Sequence, residues 1–251
     1  MAPTHLALVT GTTSGIGLAV ARRLLDRGWQ VAGIARRPAE IRHPQYRHVS
    51  ADLADLPASV AAIKREIGPI LSGGEWQRVG LVNNAASPDL LTSFERIDPL
   101  VLLRLYAVNT AAPLSLMGFV VRQSPRRAAV RIVNLSSGAA VGVFPGLAAY
   151  GSSKAALRMA GMVAAAELAS PQRRPTAPTD IAILSYEPGI VDTPMQRLAR
   201  EQPPEQFPSV QLFQDFATRG VVVPPEAPAG EIVDFLEADA QPGFTERRFG
   251  A

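Results

Sequence analysis

Short apolar runs that alternate with helical patterns constrain the fold of this chain more than any other feature. Nearly continuous apolar strands separated by helices are typical of a parallel sheet that is covered on both faces. Right-handed crossovers then predict an α/β fold: a Rossmann-type, doubly wound parallel sheet with helices on both faces. The predicted strands are residues 6–9, 31–34, 46–49, 79–82, 130–135 and 181–186, and the predicted helices begin at 16 and cover about 59–67, 99–121 and 150–168.

The whole chain, residues 1–251, is interpreted as a single domain. Hydrophobic residues make up 47% of it and charged residues 19%, which is typical of a globular protein. Proline-rich stretches at 171–178, 203–208 and 224–228 could be linkers. None of them is flanked by a second self-sufficient set of elements, so we interpret them as loops.

The composition argues against several classes of function. The chain has no cysteine, which excludes disulfides and thiolate catalysis. His5, His43 and His48 lack metal-ligand spacing, so we expect no metal site. No basic run is interleaved with aromatic residues, and no window approaches 18 uninterrupted apolar residues. We therefore expect no nucleic-acid or membrane partner and predict a soluble, cytoplasmic protein.

The turn after the first strand is suited to a phosphate. Gly11, Gly15 and Gly17 stand in the spacing Gly-x-x-x-Gly-x-Gly, between a strand and an amphipathic helix. Glycines let a pyrophosphate approach the backbone, and the helix start offers free N–H groups to it. An ordinary strand-to-helix turn remains the alternative, because a glycine motif alone is weak evidence.

The end of the second strand indicates which dinucleotide is preferred. An acidic residue there binds the ribose 2′-hydroxyl, whereas arginine accommodates a 2′-phosphate. Arg36 and Arg37 follow this strand, and no carboxylate occurs before Glu40. The pattern favours NADP(H), with two solvated surface arginines as the alternative.

Tyr150 and Lys154 stand four residues apart in a predicted helix, so their side chains share a face. A nearby cation lowers a tyrosine pKa from about 10, which predicts a general acid and base. The chain has only one other lysine, Lys64, which makes this spacing more specific. Ser137 ends the fifth strand and is expected to face the ligand crevice. A structural Tyr–Lys pair and a serine that merely closes its strand remain the alternatives.

Together these residues resemble the short-chain dehydrogenase/reductase family along essentially the whole chain. Asn109, Ser137, Tyr150 and Lys154 are similar in order and spacing to its catalytic tetrad. Ala86 stands where the family usually has glycine after Asn-Asn-Ala. The resemblance implies cofactor contacts by Gly11, Thr13, Ser14, Gly15, Ile16, Gly17, Arg36, Arg37, Asp52, Leu53, Asn84, Ala85, Tyr150, Lys154, Pro188, Gly189, Val191 and Thr193.

The resemblance also implies a mechanism for a small-molecule carbonyl substrate. NADPH delivers hydride to the carbonyl carbon, Ser137 hydrogen-bonds the oxygen, and Tyr150 protonates it. Lys154 lowers the pKa of the tyrosine and holds the nicotinamide ribose, while Asn109 supports a water chain that resupplies the proton. Residues from about 196 to 219 are implied to form a lid over the substrate.

The stretch from Tyr186 to Glu201 is similar to the matching stretch of sepiapterin reductases and of bacterial reductases of the benzil type. This resemblance implies reduction of one carbonyl of a compact 1,2-dicarbonyl, with sepiapterin as the alternative substrate. The C-terminal segment lacks the aspartate with which sepiapterin reductases anchor the pterin, and Glu246 or Thr245 is the candidate replacement. A non-catalytic NADP(H)-binding sensor and an enzyme that oxidises secondary alcohols are the other hypotheses.

Apolar residues on more than one face of two long helices predict a homodimer. A face that does not pack on the sheet would be exposed on a monomer. The family resemblance implies that the same two helices pair between subunits. The residues concerned are Leu102, Leu105, Leu157, Met159 and Met162.

Overall fold

A seven-stranded parallel sheet lies at the centre of the molecule. The computed structural model describes residues 4–87, 89, 91–170 and 178–250. The strand order is β3-β2-β1-β4-β5-β6-β7. The predicted Rossmann-type sheet is therefore confirmed. Its strands are β1 (His5–Thr10), β2 (Gln30–Ala35), β3 (Tyr46–Ser50), β4 (Arg78–Asn83), β5 (Ala129–Leu135), β6 (Ile181–Glu187) and β7 (Gly243–Arg248).

Helices cover both faces of the sheet within the described chain. Helices α1 (Gly15–Asp26) and α8 (Glu226–Glu237) bury one face under Val20, Leu24, Ile232 and Leu236. The opposite face is buried by the second, fourth and fifth helices, with side chains such as Ile63, Leu116 and Ala165. The remaining bounds are α2 (Leu56–Gly73), α3 (Pro99–Tyr106), α4 (Ala112–Gln123), α5 (Ala148–Leu168), α6 (Pro194–Arg200) and α7 (Val210–Thr218).

The helix predicted at 99–121 is interrupted in the middle. A π-helical turn at Ala107–Ala111 separates α3 from α4. Pro113 has no N–H to donate to the carbonyl of Asn109 four residues before it, so the α-helical ladder fails at this residue. Such turns occur often at functional sites, and this one carries the fully buried Asn109.

The sequence interpretation missed four elements near the C-terminus, which are α6, α7, α8 and β7. Strand β7 pairs with β6 at the sheet edge, and its side chains are half-buried or exposed. The proline stretch 224–228, expected to be a loop, leads into α8 instead, with Pro225 as the N-cap. The stretch 203–208 lies between α6 and α7, whereas the one at 171–178 lies outside the described residues except for its last residue.

The segment Pro99–Gln123 is long and apolar enough to cross a membrane by composition, with a mean hydropathy of 1.4. Its α4 part packs Leu116 and Val120 against the sheet, as a core helix does. Of the apolar residues named on the two long helices, Leu105 and Leu157 are buried in the protein's own core. Apolar side chains that are exposed on α3, α4 and α5 are Leu100, Leu103, Leu114, Met159, Met162 and Val163.

Candidate active site

Ser137, Tyr150 and Lys154 converge at the carboxyl end of β5. Ser137 is the second residue after the strand and caps a short 3-10 turn, accepting a hydrogen bond from the Ala139 N–H at 3.2 Å. Tyr150 and Lys154 lie in the first two turns of α5, with the Lys154 Nζ 5.7 Å from the centre of the Tyr150 ring. The Ser137 side chain hydrogen-bonds the Tyr150 hydroxyl. The structure thus places a hydroxyl, a phenol and an ammonium together.

The pKa of Tyr150 differs from the sequence-based expectation. Burial of its hydroxyl raises the pKa to about 12, and the hydrogen bond with Ser137 offsets this only in part. Lys154 does not reverse the direction, and its ammonium donates to the Leu135 carbonyl at 2.7 Å. The expected net lowering of the Tyr150 pKa below its usual value is therefore wrong for the protein by itself. At neutral pH the phenol is protonated, which is the state that a proton donor needs.

Lys154 is also perturbed by burial. Only 2% of the residue is exposed, and desolvation lowers the pKa of its ammonium to about 8. Burial disfavours the charged form of a lysine. Lys154 therefore loses its proton at a much lower pH than an exposed lysine does.

Asn109 is held beside this group by the π-helical turn. Its Oδ1 accepts from the Ser87 N–H at 2.8 Å, and its Nδ2 is 3.1 Å from the Ser153 Oγ. Ser153 in turn donates to the Tyr150 carbonyl at 2.7 Å. These bonds connect Asn109 to the backbone of α5 rather than to the Lys154 ammonium. The predicted role of Asn109 in a water chain stays a prediction.

The glycine turn forms a cradle that side chains would fill. Gly11 and Gly15 have positive φ angles of 74° and 56°, a conformation that favours glycine. A Cβ on Gly17 would lie 2.4 Å from both the Asn84 Nδ2 and the Gly11 carbonyl oxygen. The start of α1, which Ser14 caps without a side-chain bond, points its free N–H groups into this turn. The turn therefore fits a dinucleotide phosphate by shape and by its donors.

Asn84 and Ala85 connect β4 to this turn. The Thr10 Oγ1 accepts from the Asn84 N–H at 3.0 Å and from the Ala85 N–H at 2.9 Å. The Asn84 side chain donates to the Thr10 carbonyl at 2.8 Å. The predicted cofactor residues of β1 and β4 thus form one hydrogen-bonded unit.

Arg36 and Arg37 lie exposed at the carboxyl end of β2, where the sequence predicts them to bind a 2′-phosphate. Neither guanidinium forms an ion pair within the part of the chain that the structure describes. Asp52 stands at the end of the neighbouring β3, and its carboxylate accepts from the Ala54 N–H at 3.1 Å. Both arginines are therefore available to an anion at this corner of the sheet.

Two of the predicted cofactor residues have side chains that are buried in the core of the protein. Ile16 and Leu53 are 8% and 7% exposed, and their side chains belong to the two cores on opposite faces of the sheet. Thr13 lies in the glycine turn and is half-buried.

The segment after β6 packs against the glycine turn. Gly189, which follows Pro188, has a φ of 73°, and Val191 bridges to Val223. Thr193 caps α6, and a Cβ on Gly15 would lie 3.1 Å from its Cγ2. The structure thus brings two segments that the sequence assigned to cofactor binding into contact.

Comparison with known proteins identifies the family. The profile of short chain dehydrogenases matches residues 5–204. The chain belongs to this family. It is 28% identical over 243 residues to benzil reductase ((S)-benzoin forming) from Bacillus subtilis, covering 95% of this chain and 96% of the relative. Sepiapterin reductase from Xenopus tropicalis is 31% identical over 254 residues, with 94% and 92% covered. A short-chain dehydrogenase/reductase structure from Saccharomyces cerevisiae superposes with a TM-score of 0.78 at 24% identity, covering 98% of this chain and 96% of that one.

Members of the short-chain dehydrogenase family are oxidoreductases that use nicotinamide cofactors. The residues of this chain fit such a group, because the positive-φ glycines and the free N–H groups at the start of α1 form a cradle in which a Cβ would collide with neighbouring atoms. When bound, a nicotinamide supplies or accepts a hydride.

A small apolar cluster connects the segment at 196–219 to this short-chain dehydrogenase site. Ala199, Phe207 and Val210 are buried against Leu147, and the Tyr150 ring packs on the same cluster. A cavity of about 420 Å³ borders the cluster, lined by Phe94, the loop before α5 and Pro208. Its lining includes neither Ser137 nor Tyr150, so it lies beside the reacting groups rather than over them.

Glu246 does not reach this site. Its two carboxylate oxygens accept from Arg158 on α5 at 2.6 and 2.7 Å. Arg158 lowers the pKa of Glu246 through these bonds. Since the bidentate pair uses both oxygens, the structure does not favour Glu246 as a substrate anchor.

Proposed function

We propose that this short-chain dehydrogenase is an NADPH-dependent carbonyl reductase. The observation that carries the proposal is the convergence of Ser137, protonated Tyr150 and Lys154 at the carboxyl end of β5, beside the glycine cradle. The carboxyl ends of parallel strands are where ligands bind in open α/β sheets. A polarised carbonyl placed there meets both a hydrogen-bond donor and an acid.

Each residue has a distinct role in the proposed reaction. The Ser137 hydroxyl donates to the carbonyl oxygen, where negative charge develops, and stabilises that charge. Tyr150 transfers its phenolic proton to the same oxygen. Lys154, held by the Leu135 carbonyl, supplies a positive charge beside the phenol and stabilises the phenolate that remains.

The preference for NADPH is proposed from Arg36, supported by Arg37. Both guanidiniums are exposed beside the cradle and have no ion pair among the described residues. Arginine binds phosphate through parallel N–H donors, which suits a 2′-phosphate. A preference for NADP(H) favours reduction over oxidation of a secondary alcohol in cells that keep NADP reduced.

We propose a compact 1,2-dicarbonyl as the substrate. Two observations support this: the similarity to a benzil reductase over nearly the whole chain, and the apolar cluster against which the Tyr150 ring packs. An adjacent carbonyl withdraws electrons and eases hydride attack on its neighbour. The apolar walls would bury the hydrocarbon part of such a molecule.

Sepiapterin is the second candidate substrate, on the strength of the 31% identity to a sepiapterin reductase. Its pterin ring carries guanidine-like N–H donors that need acceptors when buried. Glu246, the expected replacement anchor, is already paired with Arg158. Unpaired donors cost about 1–3 kcal/mol each, which places sepiapterin below a dicarbonyl in our ranking.

A non-catalytic NADP(H) sensor is the rival from a different class. A sensor requires the cradle but has no use for a buried phenol next to a serine hydroxyl.

We also propose that the protein is a homodimer, because apolar side chains on α3 and α5 are exposed.

The test compares kcat/KM with NADPH for 1-phenyl-1,2-propanedione, sepiapterin and acetophenone in one buffer. The proposal expects the diketone to be reduced most efficiently. Sepiapterin turning over tenfold better than the diketone would contradict the substrate ranking. No oxidation of NADPH with any of the three would support the sensor.

A further inference from the structure

A carboxylate that the proposed mechanism does not use lies next to the catalytic serine. Glu187 is the last residue of β6, and its Oε1 lies 3.1 Å from where a Cβ on Gly138 would be. Gly138 directly follows Ser137. The strands are joined here, since the Ser136 N–H donates to the Tyr186 carbonyl at 2.7 Å. The Glu187 carboxylate therefore borders the place where the carbonyl oxygen would bind.

The direction of the side chain follows from the alternation of residues along a strand. Tyr186 points to the face that carries α8, where its hydroxyl donates to Glu231 at 2.8 Å. Its neighbour Glu187 therefore points to the opposite face, which carries α5 and Tyr150.

The carboxylate is only weakly neutralised by the protein. Among the described residues its one ion-pair partner is Arg248, with the Nε 3.4 Å from the Oε1 and a guanidinium side chain that is 68% exposed. By contrast, Glu246 accepts two short hydrogen bonds from Arg158. Glu246 lies in the same strand as Arg248, two residues before it. Exposed single-contact pairs of the Glu187–Arg248 kind contribute little.

An uncompensated carboxylate at this place would oppose the proposed reaction of a neutral substrate. Negative charge develops on the carbonyl oxygen during hydride transfer, and a nearby like charge destabilises it. A positive charge on the substrate would remove the conflict by pairing with Glu187 in place of Arg248.

We propose that Glu187 determines specificity, selecting carbonyl substrates that carry a positively charged group close to the reacting carbonyl. The inference rests on the proposed reductase function and narrows its substrate class. Glu187 acts by binding the positively charged group of the substrate, which replaces the Arg248 guanidinium as its ion-pair partner.

The test uses two 1-aryl-1,2-propanediones that differ only in the ortho substituent, next to the carbonyl group, which is trimethylammoniomethyl or its neutral isostere neopentyl. The ratio of their kcat/KM values, cationic over neutral, is measured with NADPH for four proteins. We expect Glu187→Gln to lower the ratio at least fivefold and Arg248→Gln to raise it. Glu246→Gln, the same change in a well-paired carboxylate, should leave the ratio unaltered. Added salt should reduce the ratio of the wild type.

A ratio that is the same in the wild type and Glu187→Gln would overturn the inference, as would a fall in the ratio in Arg248→Gln. If neither dione is reduced, the proposed dicarbonyl activity is wrong. The preference for the cation is then measured from the Kd of each dione for the NADPH-loaded protein. We expect Glu187→Gln to lower this preference, Arg248→Gln to raise it and Glu246→Gln to leave it unaltered. Circular dichroism of each variant verifies that it is folded, and Arg248→Gln still tests the inference if Glu187→Gln is not.

Discussion

The ammonium of Lys154 lies 2.7 Å from the carbonyl oxygen of Leu135, the last residue of β5. This bond fixes the lysine between the end of the strand and the first turns of α5, where Tyr150 also lies. Because the site is buried, the pKa of the lysine falls to about 8 while that of the tyrosine rises to about 12. The two groups therefore change charge in opposite order from an exposed pair.

The first prediction concerns the pH dependence of reduction. Lys154 is charged below its pKa of about 8 and neutral above it, whereas Tyr150 keeps its proton throughout this range. We expect kcat/KM for NADPH, which reports the free enzyme, to be flat near pH 6–7 and to fall above about 8. Lys154→Arg, whose guanidinium stays charged, should be much slower but lack this decline. A wild-type plateau that continues to pH 10 would disagree with the burial of the ammonium.

The second prediction concerns the cofactor. A hydrogen bond to a charged group contributes roughly 1.5–3 kcal/mol, so Arg36 should give about a 10- to 150-fold preference for NADPH over NADH in kcat/KM. Arg36→Ala should remove most of this preference and leave the NADH value within a few-fold. Arg126→Ala, an exposed arginine beyond the far end of α4, is the matched control and should change neither value. Equal kcat/KM values for the two cofactors in the wild type would refute the assignment.

The sheet and its main helices could be predicted because their apolar runs are long and regular. β7 could not be, since its Thr-Glu-Arg-Arg residues are polar on both faces and show no apolar alternation. The burial of Arg131 could not be predicted either. This residue lies inside β5, is 1% exposed, and its guanidinium donates to the Asp180 carboxylate at 2.7 Å. Nothing local in the sequence indicates that partner, 49 residues away.

For the site, spacing predicted which residues meet but not how burial changes them. The four-residue separation of Tyr150 and Lys154 places them on one face of α5, as expected. The direction of the tyrosine pKa depends on desolvation by the surrounding elements, which spacing does not reveal. Glu187 was likewise overlooked, because its proximity to Gly138 depends on the register of β5 and β6. The cytoplasmic location stays a prediction.

The third prediction concerns the cradle. A Cβ at Gly17 would be 2.4 Å from the Asn84 side chain and from the Gly11 carbonyl, far closer than packed atoms allow. We expect Gly17→Ala to weaken NADPH binding at least tenfold and to lower the Tm. Gly230→Ala in α8, where the new Cβ meets nothing nearer than 3.7 Å, should instead be neutral or stabilise by about 0.5–1 kcal/mol. Isothermal titration with NADPH and thermal melts make the comparison, and unchanged NADPH binding by Gly17→Ala would argue against the cradle.

The fourth prediction concerns assembly. Leu103 on α3 and Met159 on α5 are 68% and 54% exposed, on helices that pack against each other. We expect the wild type to sediment as a dimer of the 26.7 kDa chain at micromolar concentration. Leu103→Glu combined with Met159→Glu should produce a monomer, whereas Val221→Glu, an exposed apolar residue beyond α7, should not. A monomeric wild type would show that these side chains have another purpose.

The most direct measurement of the central claim is the kcat of Tyr150→Phe for reduction of 1-phenyl-1,2-propanedione by NADPH. The change removes the proton donor alone, and general acids contribute about 10²–10⁴-fold, so kcat should fall by that factor while the Kd for NADPH stays within a few-fold. Tyr106→Phe is the control and should retain the wild-type rate. The Tyr106 hydroxyl donates to the Ser152 Oγ at 2.9 Å and is not one of the reacting groups. A Tyr150→Phe protein that keeps more than about a tenth of the wild-type kcat would contradict the assignment of Tyr150 as the acid.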